Sequence, residues 1–299
     1  MNKRIVFFLV LIITGSSIGP ALARDPGTPA EPETTSAKSL FSFKTDDRES
    51  IFGDRFTLKA GYKVWVAKWQ AQFAATTTAQ NQVNTDHPMA LSGPTVTGTM
   101  KLRDGSLFNA AFVNFTWLHD GADFAEQRVD SSHIFANRRD YSLTAGLTVW
   151  EGFGIFGGYY NSRQEFTNQP NQPGLGTSRH PRLLEGPIFG AFGNVPASEH
   201  VTHYGNLAMA LLKFKGFCPL PNACAETDSA QGYMTEVGVT FQGPRIWRVG
   251  TELQIGFRAQ IVQKNFGADA TGAGTPNVTN QQPLLDVTYG PVFTINAAF

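Results

Sequence analysis

The chain has 299 residues, 24 basic and 24 acidic, and only 16% of it is charged, against roughly 25% in soluble domains. Zero net charge excludes the basic footprint of a nucleic-acid binder. No segment offers the roughly 20 consecutive apolar residues of a membrane helix. In chain order, Lys3 and Arg4 precede an apolar run from Ile5 to Ile13, and Ala21-Leu22-Ala23 supplies small residues where a signal peptidase reads. This predicts a signal peptide over 1–23, cleaved after Ala23. Arg24, not Cys, follows, which argues against a lipoprotein anchor. Loss of Lys3 and Arg4 leaves 22 basic residues (24 less two) against 24 acidic. Pro26, Pro29 and Pro32 among Thr, Glu, Ser and Ala read as a disordered linker over 24–39. Leu40 to Asp54, where Phe41, Phe43, Ile51 and Phe52 stand among charges, reads as a lead-in, with a segment tucked into a barrel mouth as the alternative.

From Arg55 onward the pattern has period two, the mark of a strand with one apolar and one polar face. The first strand, 55–73, sets Phe56, Leu58, Ala60, Tyr62, Val64 and Val66 against Thr57, Lys59, Gly61 and Lys63. A polar loop runs from Ala74 to Pro94. Strands over 95–103 and 106–118 flank Asp104-Gly105, a tight-hairpin signal. A second long loop runs to Arg138. Strands over 139–150 and 153–166 flank the short turn Glu151-Gly152. A third loop, rich in Asn, Gln, Pro and Gly, reaches Pro181. Strands over 182–194 and 200–215 flank a turn near Pro196, and the fourth loop holds Cys218 and Cys224. Strand 230–242 ends at Gly243-Pro244. The ninth strand sets Trp247, Val249, Leu253, Ile255, Phe257, Ala259 and Ile261 outward, with Arg248, Gly250, Glu252, Gln254, Gly256, Arg258 and Gln260 inward. A fifth loop leads to the last strand, 284–299. There Leu285, Val287, Tyr289, Phe293, Ile295, Ala297 and Phe299 oppose Asp286, Thr288, Gly290, Thr294 and Asn296.

Ten strands joined by alternating long and short connections fit an even-stranded transmembrane antiparallel up-and-down β-barrel, with both ends on the short-turn side. Weak alternation in the sixth and seventh strands keeps eight or twelve strands open. A secreted sandwich is the soluble alternative. Its strands are usually about 5–6 residues long, whereas membrane strands need about 9–11. Trp65, Trp69, Trp117, Trp150 and Trp247 fall where an interfacial aromatic girdle belongs. The domain reading is therefore signal peptide 1–23, linker 24–54 and barrel 55–299.

Arg139-Asp140-Tyr141-Ser142-Leu143-Thr144-Ala145-Gly146 followed by Gly154-Ile155-Phe156-Gly157-Gly158-Tyr159 resembles a hairpin of small Gram-negative outer-membrane barrels of porin-like type without an assigned role. Gly186-Pro187 and Tyr289-Gly290-Pro291-Val292-Phe293 fit the same pattern. The terminal strand, ending on Phe299, resembles the assembly signal of such barrels, with Tyr289 and Phe293 on the same face. The resemblance implies an outer-membrane location after passage through the periplasm. It implies contact with outer-membrane lipid and lipopolysaccharide and with barrel-assembly machinery. A small solute is a candidate ligand; nucleic acid is not. It carries no active site and no cofactor.

The chemistry points away from an enzyme. Omptin proteases need acidic pairs and an Asp/His pair spaced i, i+2. Here Asp86-His87 and His119-Asp120 are adjacent, so on a strand they point to opposite faces. Ser131-Ser132-His133 reads as a solvated loop segment. His200 and His203, three apart, do not share a face, and no metal site is expected. In an oxidising envelope Cys218 and Cys224 pair as a local disulfide that stiffens its loop. Glu236, Arg248, Glu252, Arg258 and Asp286 are the lumen-lining candidates, either as an ion network filling the interior or as the lining of a narrow solute path. At about 3.4 Å per residue, Arg248 and Glu252 stand roughly 14 Å apart and need partners on other strands. These readings favour a narrow porin-like channel or a structural envelope protein. The alternative is a surface adhesin acting through loops 119–138 and 216–229.

Overall fold

The computed structural model describes residues 55–72, 82–84, 88–102, 108–120, 124–127, 133–150, 152–169, 178–216, 228–247, 249–264 and 284–299. The expected signal peptide 1–23 and linker 24–54, with Asp104-Gly105, Arg248 and the pair Cys218/Cys224, lie outside the described residues. Those that are described form β1 (Phe56–Gln72), β2 (Gln82–Asn84), β3 (Met89–Lys101), β4 (Ala110–Asp120), β5 (Phe124–Gln127), β6 (His133–Trp150), β7 (Phe153–Gln169), β8 (Ser178–Pro196), β9 (Val201–Gly216), β10 (Asp228–Gln242), β11 (Gly250–Lys264) and β12 (Leu284–Ala298).

Ten of these strands make a closed antiparallel ring in the order β1-β3-β4-β6-β7-β8-β9-β10-β11-β12, and β12 pairs back onto β1. The short β2 extends the edge beside β1, and β5 pairs with β6. Closure runs in register from Lys59↔Ala298 to Ala71↔Asp286, and Phe299 finishes it by exchanging backbone hydrogen bonds with Leu58. A closed ring leaves no edge with unpaired N–H and C=O groups. The ring strands run from 11 to 19 residues, longer than the sandwich alternative requires. Ten is the strand number, and neither eight nor twelve.

The faces are inverted relative to a soluble protein. Ile155, Leu207 and Ile295 on the outside are more than half exposed, whereas Arg138, Gln164, Gln260 and Thr288 on the inside are no more than 1% exposed. The interior is not purely polar. Leu184, Ile188, Ala208, Ala210, Leu212, Met234 and Val262 form one buried apolar cluster along β8 to β11. Their presence explains why the sixth and seventh ring strands alternate weakly, since both faces of β8 and β9 are apolar.

Several boundaries move. The loop expected to reach Pro94 ends earlier, because β3 starts at Met89 and buries Met89 and Leu91. Much of the loop expected over 119–138 is strand: β5 pairs with β6, which begins at His133. The ninth ring strand begins at Gly250, because residues 246–249 close a tight turn in which Trp247 has φ of 60° and is 94% exposed. The largest correction concerns the tryptophans. Trp117 and Trp150 face outward, but Trp65 and Trp69 are fully buried inside and belong to no girdle. They share the inward face of β1 with Lys59 and Lys63, one alternation beyond the polar residues that define it.

Candidate functional site

The inward side chains converge on Arg138. It lies on β6 beside Asp140, two residues on and so on the same face. Its Nε donates to both carboxylate oxygens of Asp140 at 3.0 and 3.1 Å, and Nη2 donates to Oδ2 at 2.8 Å. The same guanidinium reaches across the lumen. Nη1 donates to Thr288 Oγ1 on β12 at 2.6 Å, and Nη2 to Gln260 Oε1 on β11 at 3.1 Å. In the ring, β6 and β11 stand five strands apart counted either way, so this contact spans the diameter. Gln164 on β7 makes a second diametric bridge, donating to Asp286 Oδ2 on β12 at 3.0 Å.

Aromatic rings fill the space between these bridges. Arg138 lies 5.7 Å from the ring centre of Trp65 and 5.5 Å from that of Trp69, and Arg258 approaches Trp65 at 4.8 Å. Such contacts are favourable because a desolvated cation meets the negative face of the ring. Trp69 Nε1 donates to Asp286 Oδ1 at 2.8 Å, and Gln260 Nε2 donates to Tyr160 Oη at 2.8 Å. Arg138, Trp65, Trp69 and Thr288 have no accessible surface. These four side chains therefore meet no solvent at this level of the barrel.

Closer to the short-turn end, Lys63 Nζ donates to both oxygens of Glu236 at 3.0 and 2.9 Å, and Tyr204 Oη donates to Glu236 Oε1 at 3.3 Å. Arg258 stands 3.8 Å from Glu236. Lys59 donates to Glu252 Oε1 at 2.7 Å. The acids of this layer are buried, but the Lys59 and Arg258 side chains keep 36% and 14% of their surface. The lumen is thus wetter here than at Arg138.

Glu236, Glu252, Arg258 and Asp286 face the barrel interior; Arg248 lies outside the described residues. Glu252 on β11 takes its partner Lys59 from β1, two strands away, and Asp286 on β12 is bonded both by Trp69 of the adjacent β1 and by Gln164 of β7 across the ring. The centre of the network, Arg138 with Asp140, Trp65 and Trp69, was missed. The legible signal was Arg138-x-Asp140, which continues the alternation of Ser142, Thr144 and Gly146 one step further. Tyr289 and Phe293 lie on the outward face of β12, and Phe299 follows its last residue.

Asp86-His87 and Ser131-Ser132 lie outside the described residues. His119 is on the outer face of β4, and Asp120 points inward, accepting the backbone N–H of Arg138 at 2.7 Å. His200 and His203 are both exposed near the β8–β9 turn. Among the described residues no three His, Cys, Asp or Glu side chains group as a metal site.

Comparison with solved structures returns barrels of several kinds. The outer membrane protease OmpT of Escherichia coli is 11% identical, covers 81% of this chain and 96% of its own, and has a TM-score of 0.39. The beta domain of the Bordetella autotransporter BrkA is 10% identical, with 82% and 99% covered and a TM-score of 0.44. Ail, the attachment invasion locus protein of Yersinia pestis, is 12% identical, with 81% and 99% covered and a TM-score of 0.26. No family profile matches the chain, and no curated protein matches it. The chain's own strand pairing defines its fold.

Proposed function

We propose that the chain is a non-enzymatic barrel of a Gram-negative outer membrane, closed at rest, that serves the envelope structurally rather than as an open pore. The observation that carries this reading is the pair of diametric bridges, Arg138 to Gln260 and Gln164 to Asp286, each residue at most 2% exposed, with Trp65 and Trp69 packed against them. The membrane setting is supported by the apolar outer face. Lipid cannot satisfy free backbone groups, and a closed ring of strands has none to satisfy. The test is solute entry into liposomes carrying the refolded mature chain. No swelling is expected with a small sugar, while heat-modifiable migration on a gel establishes that the barrel is folded. Swelling of wild-type vesicles would overturn the closed-lumen reading.

A narrow, gated path is the second reading. It is favoured by the partly exposed Lys59 and Arg258 side chains, which make the lower lumen a vestibule ending at Trp65. On this reading Arg138→Ala conducts where the wild type does not.

A further inference from the structure

Cross-strand register arranges the outer wall of β4 to β9 in layers. One row runs His119↔Arg139↔Arg163↔Leu183↔Lys215. The row two residues below it runs Trp117↔Tyr141↔Asn161↔Glu185↔Lys213. The next contains Phe115↔Leu143↔Tyr159↔Pro187. Each step is about 7 Å along the strand. Chemistry thus changes from cationic, through aromatic and amphipathic, to apolar over roughly the depth of a headgroup region.

The cationic row contains a conflict. Arg139 and Arg163 are exposed and directly opposite one another. Like charges so placed repel, and among the described residues no carboxylate pairs with either. The one ion pair beside them, Lys215 to Glu185 at 2.9 Å, lies at the flank. A depression of ≈ 670 Å³ opens over this row, lined by Arg139, Arg163, Glu165, Pro181, Leu183 and Lys215. A second, of ≈ 650 Å³, adjoins it at Lys215 and descends over Tyr159, Pro187 and Leu211. The β8–β9 register skips from Glu185↔Lys213 to Ile188↔Ala210, which leaves Gly186 and Pro187 unpaired to that side as the groove floor.

From this we infer that Arg139, Arg163 and Lys215 form a site for the phosphorylated headgroup of an outer-leaflet glycolipid, with an acyl chain lying in the Pro187–Leu211 groove. A phosphate between the two guanidiniums accepts paired N–H donors from each and converts a repulsion into two attractions. Lys215, half exposed in its surface pair with Glu185, can exchange that weakly held partner for a second phosphate. The long connections on this side make it the external face. The inference rests on the membrane reading above, and it names the residues that would meet the lipid.

The test uses the refolded mature chain in phosphatidylcholine nanodiscs. Diphosphoryl lipid A and its monophosphoryl form are titrated in, and bound lipid is counted by native mass spectrometry. Insertion is read separately by heat-modifiable migration. The diphosphoryl lipid should be retained at least tenfold more tightly than the monophosphoryl form. Arg139→Gln/Arg163→Gln should lose at least tenfold of that retention, and Lys101→Gln, at the opposite rim, should lose none. Because the double variant removes a repulsion it should fold at least as well as wild type, and Arg163→Gln alone gives the same direction. Equal retention by inserted wild type and inserted variants overturns the site. Displacement of the lipid by millimolar inorganic phosphate with no dependence on the acyl chains overturns the lipid as occupant in favour of the free anion. Failure of the wild type to insert overturns the membrane reading itself.

Discussion

Replacement of Arg138 by alanine should be the most damaging single change in the barrel interior. The substitution removes all three donated bonds to Asp140 and the bonds to Thr288 and Gln260. Asp140 is 3% exposed, so its carboxylate stays buried with its cation gone. Removing one partner of a buried pair costs about 3–5 kcal/mol, roughly a hundred- to several-thousand-fold in the folding equilibrium at about 1.4 kcal/mol per tenfold. Arg138→Ala/Asp140→Ala removes the stranded charge as well. It should recover part of the loss, with a coupling of about 1–3 kcal/mol in the double-mutant cycle. The assay is reversible urea unfolding in lipid vesicles, followed by tryptophan fluorescence. Arg138→Ala within about 1 kcal/mol of wild type, against the range expected for a broken buried pair, would refute the reasoning. So would a double variant whose loss equals the sum of the single losses.

Glu236→Ala leaves Lys63 and Arg258 facing each other without their shared carboxylate. It should destabilise by about 3–5 kcal/mol and Glu236→Gln by less, measured in the same unfolding series. In variants retaining one tryptophan each, brominated lipid should quench Trp117 and Trp150 but not Trp65 or Trp69, which face the interior. Quenching of Trp65 by lipid would place β1 in the opposite register. At Gly154 a Cβ would collide with the backbone carbonyl of Leu147 and the ring of Phe192. Gly154→Ala should therefore lower the folded fraction seen by heat-modifiable migration, and an unchanged fraction would show the β6–β7 contact to be looser than described.

The architecture was legible because period two survives wherever the outer face is apolar and the inner face is polar. β11 and β12 show this best, with Leu253, Ile255 and Phe257 outward against Glu252 and Gln260 inward. Legibility failed where the interior is apolar. Trp65 and Trp69 are hydrophobic residues on the polar face, and periodicity alone reads them as misplaced or interfacial. It failed also at strand ends, where Met89 to Gly93 and His133 to Arg138 continue past the turn-like residues that suggested loops. The site was half legible. An acid or a cation on an inward face can be marked from sequence, but its partner comes from closure of the ring. Glu252 is joined to Lys59 193 residues away, and Arg138 to Thr288 150 residues away, so neither pair leaves a local trace.

The closed lumen is tested most directly by planar-bilayer recording of the folded wild-type chain beside Arg138→Ala. The account predicts a silent wild type at voltages that leave the bilayer intact, with insertion established by protease protection of the barrel in matched vesicles. Discrete, reproducible conductance steps from the wild type would contradict it, because they require a continuous water path through the level at which Arg138, Trp65 and Trp69 meet.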